Sequence, residues 1–426
     1  MKTIKPNSSC VCPKCGSEDL IKYGKTTNKI PKRRFECTRC RHITTTPRLP
    51  AHPVSMRSDL PHAKVYIITA AQNATPVHKG FWKSLERATK FYGAEKVVIP
   101  GRYKNPTSQW TQGNDEHEWW CPEVLPYLCQ GRIKLNERII LLGDVKIQWA
   151  ARKPLASMDT LTKNMSGIVG HGNRALRSIA TPQHKHPKLM LTTGACTLPN
   201  YTDTKQGAIG EFNHCFGALI VEIDGDVFYV RELNADQRGA FIDLDMEFTP
   251  DGVQPAKPAF SISMGDVHQR FTLPQVIDAT FTAKRSMLNL LHPRYLIWHD
   301  VLDFHTRNHH HKDDWLTVFG KWKTGNECVR TEIEEAIRFV NDKTPKNCKS
   351  VIVSSNHDRA LLRWLKEADF KKDPVNLQFY LEIAAKAAKS TKMTESGITY
   401  DDPFIFCAKK FAADNVQFLK QGESFV

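Results

Sequence analysis

Three short polar motifs in the last third of the chain each follow an apolar, β-rich run directly. The run AFSISM leads into Asp266 and His268, RYLIW leads into Asp300, and SVIVSS leads into Asn356 and His357. Two helical stretches, TAKRSMLNLL and EEAIRFVND, separate the runs, and this β–α–β alternation predicts a parallel sheet. Because the carboxyl ends of parallel strands share one edge, we expect the three motifs to meet there.

These residue types can hold two divalent ions close to one another. Asp266 and His268, two positions apart at a strand end, can bind one ion, and Asp300 can bridge it to a second. The amide oxygen of Asn356 can bind that second ion. A set of oxygen and nitrogen ligands without sulfur suits Mn best, and Fe, Co or Zn less well. The motifs therefore predict metal-dependent hydrolysis of a phosphate ester.

A proton donor is also available in the third motif. His357 lies beside the second predicted ion rather than on it, so its imidazole can protonate the leaving oxygen. Asp358 follows directly and can orient that ring. We therefore expect His357 and Asp358 to be the catalytic pair.

The three motifs in this order resemble those of the calcineurin-like metallophosphoesterases, D-x-H, G-D-x-x-D and G-N-H-[DE]. The wider wording GDVH, WHDVLDFHTRNHHH and SSNHDRALLRWL resembles a phage group of that family, related to the pre-early DNA-degradation nucleases of T-odd coliphages and more distantly to SbcD-type nucleases. The likeness covers roughly residues 190–426. It implies an α/β sandwich and a Mn-dependent DNase that degrades host DNA.

The chain departs from the family pattern at two points. His299 replaces the glycine of the second motif, where it can add a ligand or only shape the turn. The family's later histidine motifs have no counterpart, because no histidine follows His357. We therefore expect a truncated chain, a second metal site completed from elsewhere, or an impaired enzyme. His309 and His310, with Asp303 and His299, are candidate substitute ligands. For the histidine run, substrate contact and a solvated loop are the other two interpretations.

Four cysteines near the start of the chain form two C-x-x-C pairs, Cys12 with Cys15 and Cys37 with Cys40. Four thiolates at this spacing complete a tetrahedral zinc site, and the residues between the pairs predict a hairpin. A segment with so few apolar residues depends on the ion for its folding free energy. Residues 1–50 therefore read as a zinc ribbon.

The ribbon is also the most basic part of the chain. Residues 1–50 hold 12 Lys and Arg against 3 Asp and Glu, which is +9 of the net +15 of the whole chain. Cations cluster beside the second cysteine pair, where double-stranded DNA can be gripped without sequence preference; they are Lys32, Arg33, Arg34, Arg39 and Arg41. The alternative is a structural or protein-binding ribbon whose basic face is only solvated.

Residues 51–62 are rich in proline and predict a linker, and residues 63–100 show a β–α–β pattern. Further apolar runs, such as GALIVEID and DVFYVREL, extend this into an α/β domain over 63–255 whose role the motifs do not reveal. Its tryptophans suit a homo-oligomer interface. Residues 256–426 form the phosphoesterase-type domain.

The composition is ordinary for a globular protein, with 41% hydrophobic and 25% charged residues, which argues against a disordered chain. No run is long enough for a membrane span, and the start lacks a signal-peptide core, so we expect a cytoplasmic protein without a membrane partner, in the host cytoplasm if a phage encodes it. The function that fits best is a DNase. A catalytically silent DNA- or protein-binding factor is the alternative, and salt sensitivity would separate both from a small-molecule phosphatase.

Overall fold

A computed structural model of the chain describes residues 12, 14–15, 17, 19–25, 33–44, 56–105, 119–182, 184–395, 397–420 and 422–425. The chain divides into two units, residues 1–255 and 256–426. Strands and helices mix in both units, which confirms the α/β class. None of the described helices has the length and apolar content that a membrane crossing requires.

The first unit begins with a small antiparallel sheet. Its strands are β1 (Leu20–Lys25), β2 (Arg33–Cys37) and β3 (Ile43–Thr44). Leu20 pairs with Cys37 across β1 and β2, which confirms the predicted hairpin.

Among its described residues, the remainder of the first unit contains two larger sheets, a short meander and two α-helices. Its elements are β4 (Val65–Gln72), α1 (Lys79–Tyr92), β5 (Glu95–Gly101), β6 (Arg132–Lys134), β7 (Ile139–Leu142), β8 (Ser166–Val169), β9 (Leu176–Ile179), β10 (Lys188–Thr192), α2 (Lys205–Phe212), β11 (Gly217–Asp224), β12 (Val227–Asn234), β13 (Phe241–Asp243), β14 (Met246–Phe248) and β15 (Val253–Pro255). The strand orders are β12-β11-β4-β5, β6-β7-β8-β10-β9 and β13-β14-β15.

Alternating side chains of β4 separate two apolar cores in the first unit. Ile67 packs with Phe81 and other residues of α1, whereas Ile68 packs with Ile139 and the five-stranded sheet. Successive side chains of a strand point to opposite faces, so the four-stranded sheet lies between α1 and the second sheet. The predicted β–α–β pattern of residues 63–100 is confirmed as β4, α1 and β5.

The described end of the predicted linker belongs to the folded part of the first unit. The Arg57 N–H donates to the carbonyl of Leu128, and the Gln130 N–H donates back to Arg57. The Arg57 guanidinium also lies 2.7 Å from the Glu95 carboxylate. Arg57 is therefore fixed by backbone pairing that composition alone does not reveal.

The second unit is built on one parallel sheet. Its elements are β16 (Ser261–Asp266), α3 (Pro274–Ile277), α4 (Met287–Leu291), β17 (Tyr295–His299), α5 (Trp315–Lys323), α6 (Val329–Lys343), β18 (Lys349–Val353), α7 (Ala360–Glu367), α8 (Leu377–Ser390), β19 (Lys392–Thr394), β20 (Gly397–Thr399), α9 (Pro403–Ala408) and β21 (Val416–Leu419). The strand order is β16-β17-β18-β21, and each neighbouring pair is parallel.

The second unit has one main core, in which Leu296 and Trp298 of β17 pack with Ile333 and Ile337 of α6. The predicted helix TAKRSMLNLL is wrong in its first half, because Ser286 caps the helix and α4 begins only at Met287. The predicted helix EEAIRFVND is confirmed and is longer, since it extends over all of α6.

We expect acid to destabilise the first unit through His214. Its Nε2 lies 2.9 Å from the Thr197 carbonyl and its Nδ1 lies 3.0 Å from the Tyr201 hydroxyl. Burial lowers the pKa of His214 to about 4 from 6.5. The unfolded chain therefore takes up a proton first as the pH falls, and the free energy of unfolding drops between pH 6.5 and 4 by at most about 3 kcal/mol.

Denaturant melts at pH 7, 5.5 and 4 measure this effect. His214→Gln should melt with a shallower pH dependence than the unsubstituted protein, while His184→Gln, at an exposed position, should keep the original dependence. Equal slopes for all three proteins would contradict the assignment to His214.

Candidate metal centre

The first two polar motifs are brought together by the ends of β16 and β17. After an irregularity in the register, Asp266 pairs with His299, so both residues are the last of their strands rather than the first of the loops. The pairing continues beyond the strands, because the His268 N–H donates to the Asp300 carbonyl at 2.8 Å. The two loops therefore hold their side chains in a fixed relation.

Two groups of potential ligand atoms form at this edge. Asp266, His268 and Asp300 offer atoms that all lie within 4.8 Å of one another, and so do His268, Asp303 and His357. His268 belongs to both groups, and its ring centre lies 4.5 Å from that of His357. The centre thus combines carboxylate oxygens with imidazole nitrogens from three strand ends.

Two buried atoms of the centre lack a hydrogen-bond partner among the described residues. They are Nδ1 of His268 and Oδ1 of Asp300. His268 Nδ1 lies 3.1 Å from Asp303 Oδ1 without forming a hydrogen bond. Buried polar atoms are nearly always satisfied, so these two point to a group that the protein itself does not supply. A divalent cation with oxygen and nitrogen ligands fits them.

The backbone is strained at His268 and Asp300, the two residues that carry the unpartnered atoms. His268 has φ +42° and Asp300 has φ +45°, in the left-handed region that residues with a β-carbon rarely adopt. Such strain costs about 1–3 kcal/mol per residue and collects at functional sites. The surrounding strand pairs hold both residues in place despite this cost.

Ser355 and two histidines lie beside the Asp300 carboxylate. Burial alone would raise the pKa of Asp300, but Ser355 and the imidazoles of His299 and His357 outweigh it, so the pKa is lowered. His299 Nδ1 lies 3.1 Å from Asp300 Oδ2 and 3.6 Å from Asp266 Oδ1. Asp300 is therefore held as an anion at neutral pH, and His299 stands between two carboxylates.

The neighbour of the His357 ring is Asp303, and this corrects the expected pairing with Asp358. His357 Nδ1 lies 3.2 Å from the Asp303 carbonyl and 4.0 Å from Asp303 Oδ1. Asp358 is buried and instead accepts from the N–H of Ser355 at 3.3 Å. Burial raises the pKa of Asp358 to about 7. The turn after β18 sends these two adjacent side chains in different directions.

The remaining expected ligands differ in their relation to the centre. Asn356 is exposed in the turn after β18, directly before His357. The rings of His309 and His310 contact one another, with centres 3.8 Å apart and an interplanar angle of 41°. They belong to neither ligand group among the residues that the structure describes.

The loop that carries Asp303 is anchored by a residue that the motifs do not include. Buried Glu332, in the first turn of α6, accepts from the His305 N–H at 2.7 Å and from the Thr306 N–H at 2.9 Å. Phe304, directly before His305, is buried in the core. Ser355 was missed as well, although it directly precedes Asn356; nothing in the local sequence singles out Glu332.

The four cysteines of the ribbon also converge. Cys12 Sγ lies 3.5 Å from Cys40 Sγ, and Cys15 Sγ lies 3.6 Å from Cys37 Sγ. A tetrahedral ion with Zn–S bonds of about 2.3 Å requires S···S distances of about 3.8 Å, so this set fits one. Burial alone would raise the pKa of Cys37, but backbone N–H groups of Cys40 and Arg39 outweigh it and lower that pKa to about 7.

The expected DNA-binding cations are described only in part. Arg39 is exposed, Arg34 lies over the Tyr23 ring at 5.3 Å, and Arg41 lies 3.2 Å from Glu36. Arg33 is the first residue of β2, and Lys32 lies outside the described residues. Of these described guanidinium groups, that of Arg39 is exposed, whereas those of Arg34 and Arg41 contact Tyr23 and Glu36.

The chain is similar to Protein A1 of Escherichia phage T5, with 31% identity over 338 residues. The match covers 77% of this chain, and the chain spans 61% of the length of that phage protein. This similarity supports a phage origin. No family model matches the chain.

Two solved structures of Vps29 are weakly similar to this chain. A double mutant from Entamoeba histolytica is 14% identical and covers 45% of this chain and 99% of its own, with a TM-score of 0.23. Vps29 of Chaetomium thermophilum is 12% identical and covers 46% and 97%, with a TM-score of 0.24. At these scores the likeness supports no conclusion about this chain.

We expect Glu332→Gln to destabilise the second unit by about 1–3 kcal/mol, because the amide nitrogen would face a backbone N–H that has lost its acceptor. Thermal unfolding followed by calorimetry measures the change. Glu335→Gln on the same helix removes only a half-exposed ion pair with Arg270 and should cost less than about 0.5 kcal/mol. Equal effects of the two substitutions would rule out the anchoring role of Glu332.

Proposed function

We propose that the chain is a divalent-metal-dependent phosphodiesterase that acts on DNA. The convergence of Asp266, His268 and Asp300 within 4.8 Å, beside His357 and Asp303, carries this proposal. The residue types, their order along the chain and their position at the carboxyl edge of a parallel sheet support it.

In this proposal, Asp266, His268 and Asp300 hold the first ion, and Asp300 with Asn356 holds the second. Manganese suits the mixture of oxygen and nitrogen ligands. Two such ions supply charge neutralisation and Lewis-acid polarisation to the phosphate when they are bound. Asp303 Oδ1 lies 3.1 Å from His268 Nδ1 and can add a further oxygen ligand on that side.

The proton chemistry belongs to His357. Its Nδ1 faces the Asp303 carbonyl at 3.2 Å, so a proton on Nδ1 is held there. Nε2 is then the ring atom that can give a proton to the leaving oxygen. Asp303 orients the ring, and Glu332 holds the loop that carries Asp303.

The ribbon would supply the grip on DNA. Zinc bound by the four thiolates would fix the fold of the ribbon, and Arg34, Arg39 and Arg41 would contact phosphates without reading bases. Binding to double-stranded DNA should therefore weaken steeply as salt rises.

The test of hydrolysis uses labelled double-stranded DNA with Mn²⁺. Asp266→Asn should lower the rate of cleavage by about a hundredfold or more, because a neutral amide is a much poorer ligand. Asp278→Asn, which removes a carboxylate of the same unit outside both ligand groups, should leave the rate unchanged. Salt-sensitive binding without any Mn-dependent cleavage would instead favour a silent DNA-binding factor.

Metal analysis tests the ribbon separately. We expect about one zinc ion per chain, lost in Cys37→Ser because three thiolates cannot close the tetrahedron. Cys328→Ser removes a cysteine of the second unit and should retain the zinc. A Cys37→Ser protein with full zinc content would refute the assignment.

A further inference from the structure

Helix α5 has the reverse of the usual amphipathic arrangement. Trp315, Phe319 and Trp322 are 72%, 51% and 61% exposed, and Leu316 beside them is also exposed. Lys321, by contrast, is only 5% exposed. Surface helices normally bury their apolar stripe and expose their charges. The outward rings of α5 therefore need an explanation other than the stability of the helix.

The buried lysine fastens this helix to the loop of the metal centre. Lys321 Nζ donates to the His305 carbonyl at 2.6 Å and lies 3.0 Å from His311 Nδ1. His305 Nδ1 is 4.0 Å from Oδ2 of Asp303, which belongs to one of the two ligand groups. Lys321 and His305 thus connect the helix to the loop of Asp303 and fix its position relative to the centre.

The three rings lie on one face of the helix, at positions i, i+4 and i+7. They extend over about 10 Å of the helix axis. Phe319 and Trp322 already stack, with ring centres 5.5 Å apart and an interplanar angle of 30°. Flat rings in a row are the arrangement on which successive bases of an unpaired strand stack.

The charges around the rings balance one another. Lys312 and Lys323 are exposed, and so are Asp313 and Asp314. Asp314 accepts from the N–H groups of Leu316 and Thr317 as the helix cap and remains at the surface. The affinity of this face for a nucleic acid must therefore come from the rings and not from an excess of positive charge.

The area of the face argues against a stable protein interface. At about 200 Å² per aromatic side chain, the three rings expose roughly 370 Å², and Leu316 and Val318, 61% and 40% exposed, enlarge the apolar face. A stable interface buries about 800 Å² per partner. Base stacking does not require a minimum interface area of this kind, because each base needs only one ring to stack on.

We propose that Trp315, Phe319 and Trp322 stack on the unpaired bases of a DNA strand whose phosphodiester lies at the metal centre. This rests on the proposed function and narrows its substrate to single-stranded or frayed ends. Base stacking gives affinity without sequence preference, because every base has a π-face.

The test measures binding separately from cleavage. Fluorescence anisotropy in an Asp266→Asn background compares an oligothymidine strand with an abasic strand of equal length and charge. The base-bearing strand should bind at least about tenfold more tightly, and replacing Trp315 and Trp322 together by Leu should remove most of that difference. Replacing both by Phe, which retains a ring, should preserve most of it.

Phe260→Leu is the matched control, since Phe260 is exposed at the opposite, amino-terminal end of β16. It should leave the preference for the base-bearing strand intact. Equal binding of the two strands, or a preference that survives the Leu substitutions, would overturn the proposal. So would a dimer, seen by light scattering, that dissociates when both tryptophans become Ala, because the face would then be a protein interface.

Mn-dependent hydrolysis of bis(p-nitrophenyl) phosphate by the unsubstituted protein separates the two proposals. This diester has no nucleobase, so its turnover reports on the metal centre. Turnover together with equal binding of both strands would leave the phosphodiesterase in place and remove the stacking face. If the base-bearing strand binds more tightly but neither DNA nor bis(p-nitrophenyl) phosphate is hydrolysed, the phosphodiesterase proposal would be wrong instead.

Discussion

The parallel pairing of β16, β17 and β18 is the constraint on which the candidate centre depends. Parallel strands deliver their carboxyl ends to one edge, and here residues that can bind a metal lie at the end of each strand or in the turn that follows it. Because Asp266 pairs with His299 and the His268 N–H bonds the Asp300 carbonyl, the first two strand ends are locked to one another. Buried residues of β17 and α6 then hold this edge in position.

Several buried carboxylates of the second unit have different tasks. Both carboxylate oxygens of Glu332 accept hydrogen bonds from backbone N–H groups, and these bonds hold the loop of Asp303. Asp300 is stabilised as an anion by its neighbours, whereas burial raises the pKa of Asp358 to about 7. A buried carboxyl group thus anchors a loop, offers a metal ligand or has a pKa near neutral pH, according to the hydrogen-bond donors that face it.

The inverted helix α5 links the surface of the second unit to its centre. Lys321 loses solvation on burial, and its bonds to the His305 carbonyl and His311 offset part of that cost. Because the face of α5 that carries Lys321 is buried, the aromatic residues on its other face are exposed. Lys321 and His305 therefore connect an aromatic surface to the loop of the candidate metal centre.

The sequence by itself determined the α/β class, the hairpin between the cysteine pairs and the strands that end at the polar motifs, because each depends on local periodicity and spacing. It did not determine that His357 faces Asp303 instead of Asp358, because side chains adjacent in sequence diverge in a turn. Nor could it reveal Glu332 or the outward face of α5, since both depend on what a helix meets after folding. Local patterns thus predicted which elements form, and only tertiary packing decided which side chains meet.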